Sequence, residues 1–313
     1  MSAQRAQVVE SQGGTGVGGA RRDLSGLMRR LHTSNNIAIG ILWVIVALVT
    51  LLFVGIIVLL LVQGAQYLID PNFYSTGTAG VGQQIFNTFY ILVLSELFLF
   101  PIALGAAIYT VEYAPPGRVV TAIRFAAETL AGVPSIVLGM FGVILFGSLL
   151  GFHISRITGA LTLLCLNFPL ALRLFEDAML AVPREMREGS LALGSTRWHM
   201  IRTVVLPSAL PGLITGLILS AGKIIGETAA LVFTMGVANP GNVFTPDWGI
   251  TSDTLTVHLW YVKTQGAGST GLTTAQANAI SAGSAALLIL ILLIINISAR
   301  SIGRYIQHRV TAA

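Results

Sequence analysis

The chain has 313 residues, of which 54% are hydrophobic and only 10% are charged. Soluble domains normally carry about 25% charged residues, so this composition excludes an ordinary soluble protein and indicates an integral membrane protein. A net charge of +5 would suggest a nucleic-acid partner in a soluble protein, but the positions of the charges argue against nucleic acid here. The single cysteine, Cys165, excludes a disulfide framework and metal ligation by paired cysteines.

The chain starts with a polar segment that contains a Gly-rich stretch and precedes the first apolar run. We expect residues 1–36 to form a disordered cytoplasmic tail, as chain termini of this kind commonly do. A cleaved signal peptide does not fit, because the apolar run begins too far into the chain and is too long.

Six apolar segments are candidates for membrane helices, since about 20 apolar residues cross the hydrocarbon core. In chain order they are residues 37–62, 85–111, 129–150, 157–172, 203–237 and 279–298. In the third segment, Gly132, Pro134 and Gly139 permit a kink and close helix packing. The sequence therefore predicts an all-α, polytopic protein with six transmembrane helices, a membrane domain over residues 37–304 and a short cytoplasmic tail over residues 305–313.

Most Lys and Arg residues lie in the two tails and in the connections that follow the second and fourth spans. With six spans, all four of these regions lie on one side of the membrane. The positive-inside rule then puts both chain termini in the cytoplasm. Arg156 and Lys263 remain on the outer side, and Lys223 lies within the membrane.

Two outer connections, residues 63–84 and 238–278, are long and rich in turn-forming and aromatic residues. We expect surface loops whose aromatic side chains lie at the membrane interface. Contact with an external partner is the alternative role for these loops.

The cytoplasmic segment 183–207 lies between long apolar runs and is charged and punctuated by glycine. Pro183 suits the first turn of a helix that ends before Gly194, which takes a left-handed conformation. Ser195 then caps a second short helix, and Leu206-Pro207 opens the fifth span. A soluble partner can bind such a helix pair at the membrane surface. The alternative is an ordinary pair of amphipathic surface helices.

This segment resembles the EAA motif of binding-protein-dependent ABC importer permeases. That motif reads Glu-Ala-Ala, three residues, Gly, nine residues, Ile, one residue and Leu-Pro. The matching positions here are Glu188, Gly189, Ser190, Gly194, Val204, Leu206 and Pro207, with small residues in place of the two alanines. The resemblance implies that the loop docks into a cleft on ATPase subunits. The residues expected to dock or couple are Arg184, Glu188, Gly189, Ser190, Gly194, Ser195, Leu206 and Pro207.

Three further stretches resemble the phosphate-transport permeases. They are residues 109–115 (YTVEYAP), 125–142 (FAAETLAGVPSIVLGMFG) and 223–234 (KIIGETAALVFT). The last stretch favours the A-type (PstA) subunit, because the C-type subunit usually reads Gly-Glu-Thr-Met-Ala at this place. The resemblance covers about residues 37–304 and implies the six-helix MetI-like permease fold of type I ABC importers.

The resemblance also implies a function and partners. The chain would form half of the pathway of an ATP-driven phosphate importer, as a multi-pass subunit of the cytoplasmic membrane. Its partners would be a C-type phosphate permease subunit, two copies of an ATPase subunit, an external phosphate-binding protein and membrane lipids, with no nucleic acid. The alternatives are a related importer of another oxyanion, such as sulfate or molybdate, and an ion-coupled secondary transporter.

The sequence does not indicate an enzyme. It has no Ser/His/Asp arrangement and no Gly-x-x-x-x-Gly-Lys-Ser/Thr loop, and no two of its five histidines are spaced as a helical metal pair. ATP and Mg would therefore be bound by a separate ATPase subunit, and we expect no cofactor and no metal on this chain.

Charged residues inside the spans are candidates for translocation or gating, because burying a charge in the membrane is costly. Lys223 and Glu227 are four residues apart and would share a helix face, close to Ser220 and Thr228. They would offer phosphate a cation and an acceptor for its P–OH group, or form a structural ion pair. Glu96 would pair with Lys223 or face a partner subunit. A further pair, Arg124 with Glu128, is expected at the cytoplasmic start of the third span, and Arg173 would reach the inner surface or an inward vestibule.

Overall fold

The computed structural model describes residues 3–115, 117–237 and 244–311, and over these residues the chain contains helices and no strand. It divides into two compact units, Met1–Leu59 and Leu60–Ala313. The prediction of an all-α protein is confirmed. The helices are α1 (Ala3–Leu68), α2 (Gly82–Ile108), α3 (Arg118–Ala131), α4 (Ser135–Gly142), α5 (Arg156–Leu180), α6 (Arg184–Ala192), α7 (Arg197–Met200), α8 (Leu206–Gly226), α9 (Ala229–Thr234), α10 (Leu255–Thr270) and α11 (Thr274–Thr311).

Short turns of other helix types extend several of these elements. A 3-10 turn, Pro71–Tyr74, follows α1. Three π-helical segments continue α2, α4 and α7 without a break, over Tyr109–Tyr113, Val143–Leu149 and Ile201–Val205.

The amino-terminal residues have helical backbone as part of α1 from Ala3 onward, whereas the sequence predicted a disordered tail over residues 1–36. Glycine costs about 0.8–1.0 kcal/mol relative to alanine in a helix, and this region contains a cluster of glycines. Most helical stability in proteins comes from packing rather than from propensity, so disorder of this tail in solution stays a prediction.

Five helices of the described chain are long and apolar enough to cross a membrane, or six when one bent pair is counted as a single span. The pair joins α3 to Ser135–Leu149 through a bend of 103°. The third predicted span, residues 129–150, is therefore not a straight helix. The kink expected from Gly132 and Pro134 lies at this break, because proline disfavours helical backbone in the residue before it. Counting the bent pair as one span gives the six spans that the sequence predicted.

The fifth predicted span also differs from the sequence expectation. We predicted one helix over residues 203–237, but α8 ends at Gly226 and Glu227 is extended, with φ −73° and ψ 132°. The chain becomes helical again only at Ala229, where α9 begins. The Glu227 carboxylate accepts a hydrogen bond from the Ala230 N–H at 3.1 Å, so it replaces a bond that the broken helix has lost.

The two broken spans pack against each other through α4 and α9. A Cβ added to Gly139 would lie 2.7 Å from the Ala230 Cα and 2.9 Å from its carbonyl oxygen. Both are backbone atoms that cannot rotate away, so this contact requires glycine. Small residues commonly allow such close approach between membrane helices.

The centre of the Leu60–Ala313 unit is formed by α2, α5 and α8, which pack against one another. Leu99, Leu163 and Phe175 are among the largest fully buried side chains there. Phe175 and Phe100 add an edge-to-face ring contact at 5.7 Å between centroids. α11 packs on α8 and on α10.

The outer connection after α9 is not a simple surface loop. Its residues 244–254 lie over the amino-terminal end of α5, where the Arg156 and Ile157 N–H groups donate to the carbonyls of Ile250 and Trp248, both at 3.0 Å. Asp253 is buried and contacts His258 Nδ1 at 2.8 Å. The bonds from the Arg156 and Ile157 N–H groups satisfy backbone donors at the start of α5 that would otherwise be unpaired.

Arg156 is fully buried at the centre of this connection. It donates from Nε to Ser252 Oγ at 3.1 Å, from Nη1 to the Asp247 carbonyl at 2.9 Å and from Nη2 to Asn87 Oδ1 at 2.6 Å. Its guanidinium carbon lies 4.7 Å from the centroid of the Tyr90 ring, a cation–π distance. Charge counting left this residue on the outer side, but its side chain is buried. Its hydrogen bonds join α2, α5 and the outer connection, and we call this set of contacts the outer clamp.

Replacing Arg156 tests the clamp. In Arg156→Met, buried acceptors on Asn87 and on the outer connection lose their donor, and each unsatisfied group costs about 1–3 kcal/mol. We expect the free energy of unfolding, measured by SDS titration of the purified protein, to fall by at least about 2 kcal/mol. The control Arg300→Met removes an exposed cation from α11 and should change it by less than about 0.5 kcal/mol. Equal stability of the two variants would contradict the clamp.

The contact between the broken spans can be tested with a matched glycine pair. Gly139→Ala puts a methyl group against the α9 backbone and should destabilise the protein by about 1–3 kcal/mol. Gly105→Ala makes the same change inside α2 at a position with no atom within 4 Å of the added Cβ, and should be neutral or stabilising by up to about 1 kcal/mol. The same SDS titration measures both, and a stable Gly139→Ala protein would refute the contact.

Candidate functional site

The first candidate site is the segment 183–207, which the positive-inside rule predicts to be cytoplasmic. α6 begins directly after Pro183, and Gly194 ends the turn that follows it with φ +83°, as predicted. Glu188, Gly189 and Gly194 are exposed, and Leu193 is 91% exposed. Leu191 and Trp198 are also exposed, at 42% and 55%, so apolar as well as charged side chains are accessible on this segment.

The capping residue of α7 differs from the prediction. Thr196, not Ser195, is the N-cap, and its hydroxyl accepts from the His199 N–H at 3.3 Å. The Ser195 hydroxyl instead donates to the Ser190 carbonyl at 2.8 Å and lies 2.7 Å from the Ser190 hydroxyl. These two serines therefore fix the turn between α6 and α7.

The remaining predicted docking residues lie at the ends of these helices. Arg184 is the first residue of α6 and is exposed. Leu206 is the first residue of α8 and follows the π-helical turn Ile201–Val205 without a break, so Leu206 and Pro207 lie within the continuous helix Arg197–Gly226 rather than opening it. The predicted docking residues therefore all lie on one continuous stretch of chain, residues 184–207.

Arg187 joins this segment to the membrane helices, a role that the sequence did not reveal. Its Nε lies 3.1 Å from Glu112 Oε1, and its Nη2 donates to the Met179 carbonyl at 2.7 Å. Glu112 belongs to the π-helical end of α2, and Met179 to the last turn of α5. No spacing rule links residues so far apart in the chain, so only the fold brings them together.

The second candidate site is an open cavity of about 670 Å³, which we call the cytoplasmic cavity after the side that the positive-inside rule predicts for it. It is formed by α3, α5 and α8. The residues that line it are Arg124, Ala127, Glu128, Ala131, Leu166, Pro169, Leu170, Leu172, Arg173, Glu176, Asp177, Leu180 and Lys223. Three cations and three carboxylates thus face one space.

The ion pairing in this cavity differs from the prediction. Arg124 does not pair with Glu128 within α3; its Nε lies 3.3 Å from Glu176 Oε2 on α5. The α3–α5 pair leaves Arg173 and Lys223 without an ion-pair partner among the described residues. The cavity wall therefore presents two cations that are not neutralised by a direct contact.

Lys223 and Glu227 do not share a helix face, because α8 ends between them. Lys223 Nζ instead donates to the Leu166 carbonyl at 3.2 Å, and the Glu227 carboxylate caps α9. Thr228 lies at the start of α9 without a side-chain capping bond. Of the predicted set, only Lys223 lines the cavity.

Glu96 lies in the packed centre, where its Oε1 accepts from Ser220 Oγ at 2.7 Å. Among the described residues it forms no ion pair with Lys223, so the predicted pairing of these two residues is wrong. Ser220 is fully buried. The hydrogen bond links α2 to α8 one helical turn before Lys223.

This chain matches a family of known proteins. The model of the family "Binding-protein-dependent transport system inner membrane component" matches residues 99–312. The probable ABC transporter permease protein YqgI of Bacillus subtilis is 37% identical over 295 residues, which cover 89% of this chain and 98% of the relative.

Relatives named as phosphate permeases match a shorter part. The phosphate transport system permease protein PstA 1 of Mycobacterium tuberculosis H37Rv is 36% identical over 164 residues, which cover 52% of this chain and 53% of the relative. PstA of Haemophilus influenzae is 32% identical over 199 residues, covering 64% of this chain and 69% of the relative. The chain thus spans about half the length of the mycobacterial relative.

A solved structure shares the fold. The inward-facing MetNI methionine ABC transporter matches with a TM-score of 0.56 and 21% identity, over 72% of this chain and 95% of that chain. At this identity the likeness shows the fold alone. The relatives and the fold are those of transporter subunits rather than enzymes. The chain therefore belongs to the MetI-like family of binding-protein-dependent transport system inner membrane components, the permeases of ABC importers.

Proposed function

We propose that this permease forms half of the pathway of an ATP-driven importer of inorganic phosphate in the cytoplasmic membrane. The observation that carries the proposal is the cytoplasmic cavity, where Arg173 and Lys223 face the same space without an ion-pair partner among the described residues. The phosphate-transport relatives at 32–36% identity support the same cargo.

The carboxylates of the cavity favour phosphate over sulfate. Hydrogen phosphate carries a P–OH donor that a carboxylate can accept, whereas sulfate has no donor and is repelled. Glu128 and Asp177 line the cavity without an ion-pair partner among the described residues. The acceptor role that the sequence suggested for Glu227 thus passes to these two residues, because Glu227 caps α9.

In this proposal, ATP and Mg are bound by two copies of an ATPase subunit, which dock on the segment 183–207. A C-type phosphate permease subunit supplies the second half of the pathway, and an external phosphate-binding protein delivers the anion. The exposed Glu188 and Leu193 would provide a polar and an apolar contact to the ATPase.

The helical stretch Arg197–Gly226 connects the docking segment 183–207 to the cavity. It runs for 30 residues from α7 to the end of α8, so a displacement of α7 is passed along α8 toward Lys223. Arg187 holds α6 to the inner ends of α2 and α5, so the inner ends of these helices move with the same docking event. Closure of the ATPases would thereby change the access of the cavity.

Lys223→Gln tests the cargo site. Removing this cation should lower phosphate uptake by at least about tenfold, since one lost charge-assisted hydrogen bond is worth about 1.5–3 kcal/mol. The measurement is phosphate uptake into proteoliposomes that contain the complete transporter. Lys223→Arg keeps the charge and should retain most of the activity, and Arg300→Gln removes a cation outside the cavity and should leave uptake unchanged.

Two results would count against the phosphate site. Normal phosphate uptake by Lys223→Gln would show that Lys223 does not bind the transported anion. Sulfate uptake by the wild-type transporter at the rate of phosphate would show a different cargo while leaving the permease assignment intact.

Glu188→Lys tests the coupling surface. A charge reversal on an exposed helix leaves folding intact but should weaken ATPase binding by at least about tenfold, because close charge pairs at interfaces couple by about 1.5–7 kcal/mol. The measurement is co-purification of the ATPase and the ATP-dependent uptake of phosphate. Arg300→Glu reverses a charge elsewhere on the cytoplasmic side and serves as the control.

Retained ATPase binding in Glu188→Lys would refute the docking role of this residue. Phosphate uptake by the permeases in the absence of any ATPase would instead support an ion-coupled secondary transporter.

A further inference from the structure

A second cavity, of about 620 Å³, lies at the outer end of the bundle. It is formed by the end of α1, by α10 and by the start of α11. The residues that line it are Leu60, Gln63, Gln66, Tyr67, Leu259, Lys263, Asn278, Ser281, Ala282 and Ala285. We call it the outer groove. It shares no residue with the cytoplasmic cavity.

The lining of the outer groove contains both polar and apolar side chains. The first uncharged apolar run of the sequence ends at Val62, and the last one begins at Ala279. Gln63, Gln66 and Asn278 lie outside these two runs, whereas Leu60 and Ala285 lie inside them. Residues from both sides of the ends of the apolar runs therefore line one groove.

Lys263 is the cation of the outer groove, and no carboxylate lines it. Lys263 forms no ion pair with any residue of the described chain. The side-chain amides of Gln63, Gln66 and Asn278 supply further hydrogen-bond donors around it. The polar side chains of the groove therefore suit an anion with several acceptor oxygens.

Close packing holds the walls of the groove in place. A Cβ added to Gly64 would lie 2.5 Å from the Ala282 carbonyl oxygen, so α1 and α11 are in backbone contact behind the groove. The Ser281 hydroxyl donates to the Ala277 carbonyl at 2.7 Å. This hydroxyl is therefore already used within α11, and the recognition of an anion falls to Lys263 and the amides.

We propose that the outer groove binds an anionic glycerophospholipid of the outer leaflet. The phosphodiester accepts hydrogen bonds from Lys263 and the amides, and an acyl chain lies along the apolar wall formed by Leu60, Leu259 and Ala285. A zwitterionic lipid also has a phosphodiester, but its ammonium group finds no carboxylate in the groove. Basic pockets between membrane helices bind lipid headgroups by the same attraction. The inference does not depend on the transported anion.

Native mass spectrometry of the full-length permease tests the proposal. The purified protein is titrated with phosphatidylglycerol and, separately, with phosphatidylcholine of the same acyl chains. The wild type should bind the first phosphatidylglycerol at least about fivefold more tightly than phosphatidylcholine, since one Lys near a lipid surface is worth about 1 kcal/mol. Lys263→Gln should lose this preference, and Lys263→Arg should retain it.

A second groove variant and a control sharpen the test. Asn278→Asp adds a carboxylate and should also abolish the preference, whereas Arg300→Gln on the cytoplasmic side should leave it unchanged. An unchanged preference in Lys263→Gln and Asn278→Asp would overturn the site.

Two other occupants give distinct results, and either would overturn the proposal. Displacement of phosphatidylglycerol by millimolar inorganic phosphate would indicate a site for a soluble anion. Loss of co-purification of the second permease subunit from Lys263→Gln, with lipid binding unchanged, would indicate a protein contact.

Discussion

The structure of the bundle depends on the hydrogen bonds made by the residues at the break between α8 and α9. Inside a membrane, backbone N–H and C=O groups must find partners within the protein. At this break the Glu227 carboxylate accepts from the Ala230 N–H, and the Glu227 carbonyl accepts from Thr256 Oγ1 at 2.9 Å. Because Glu227 is used in this way, Lys223 has no carboxylate partner on its own helix and lies in the cytoplasmic cavity instead.

Features with a local cause could be predicted from the sequence. The apolar runs predicted six spans, since one span needs about 20 apolar residues regardless of what surrounds it, and the described chain has five such helices, or six with the bent pair. Gly194 was assigned a positive φ because few other residues adopt that conformation after a helix. The exposure of Glu188 followed from its place in a short, charged segment between apolar runs.

Features that depend on tertiary contacts could not be predicted. The predicted Lys223–Glu227 pair assumed a continuous helix. The predicted Arg124–Glu128 pair assumed that an arginine pairs with the nearest carboxylate on its own helix. The fold breaks the first helix and brings Glu176 of α5 within 3.3 Å of Arg124. Arg156 was counted as an outer charge because charge counting cannot distinguish an exposed arginine from one that is buried and hydrogen-bonded.

Under the proposed function, the same contacts divide the bundle into a part that docking would move and a part that would keep its position. The outer ends of α2 and α5 are held by Arg156 and Asn87 to the connection at residues 244–254. The inner ends of these helices are held to α6 by Arg187. Since the helix from Arg197 ends at Gly226, a displacement that starts at the coupling segment reaches Lys223 and is interrupted at Glu227. Under the proposed function, the cytoplasmic cavity therefore opens and closes while the outer clamp keeps its shape.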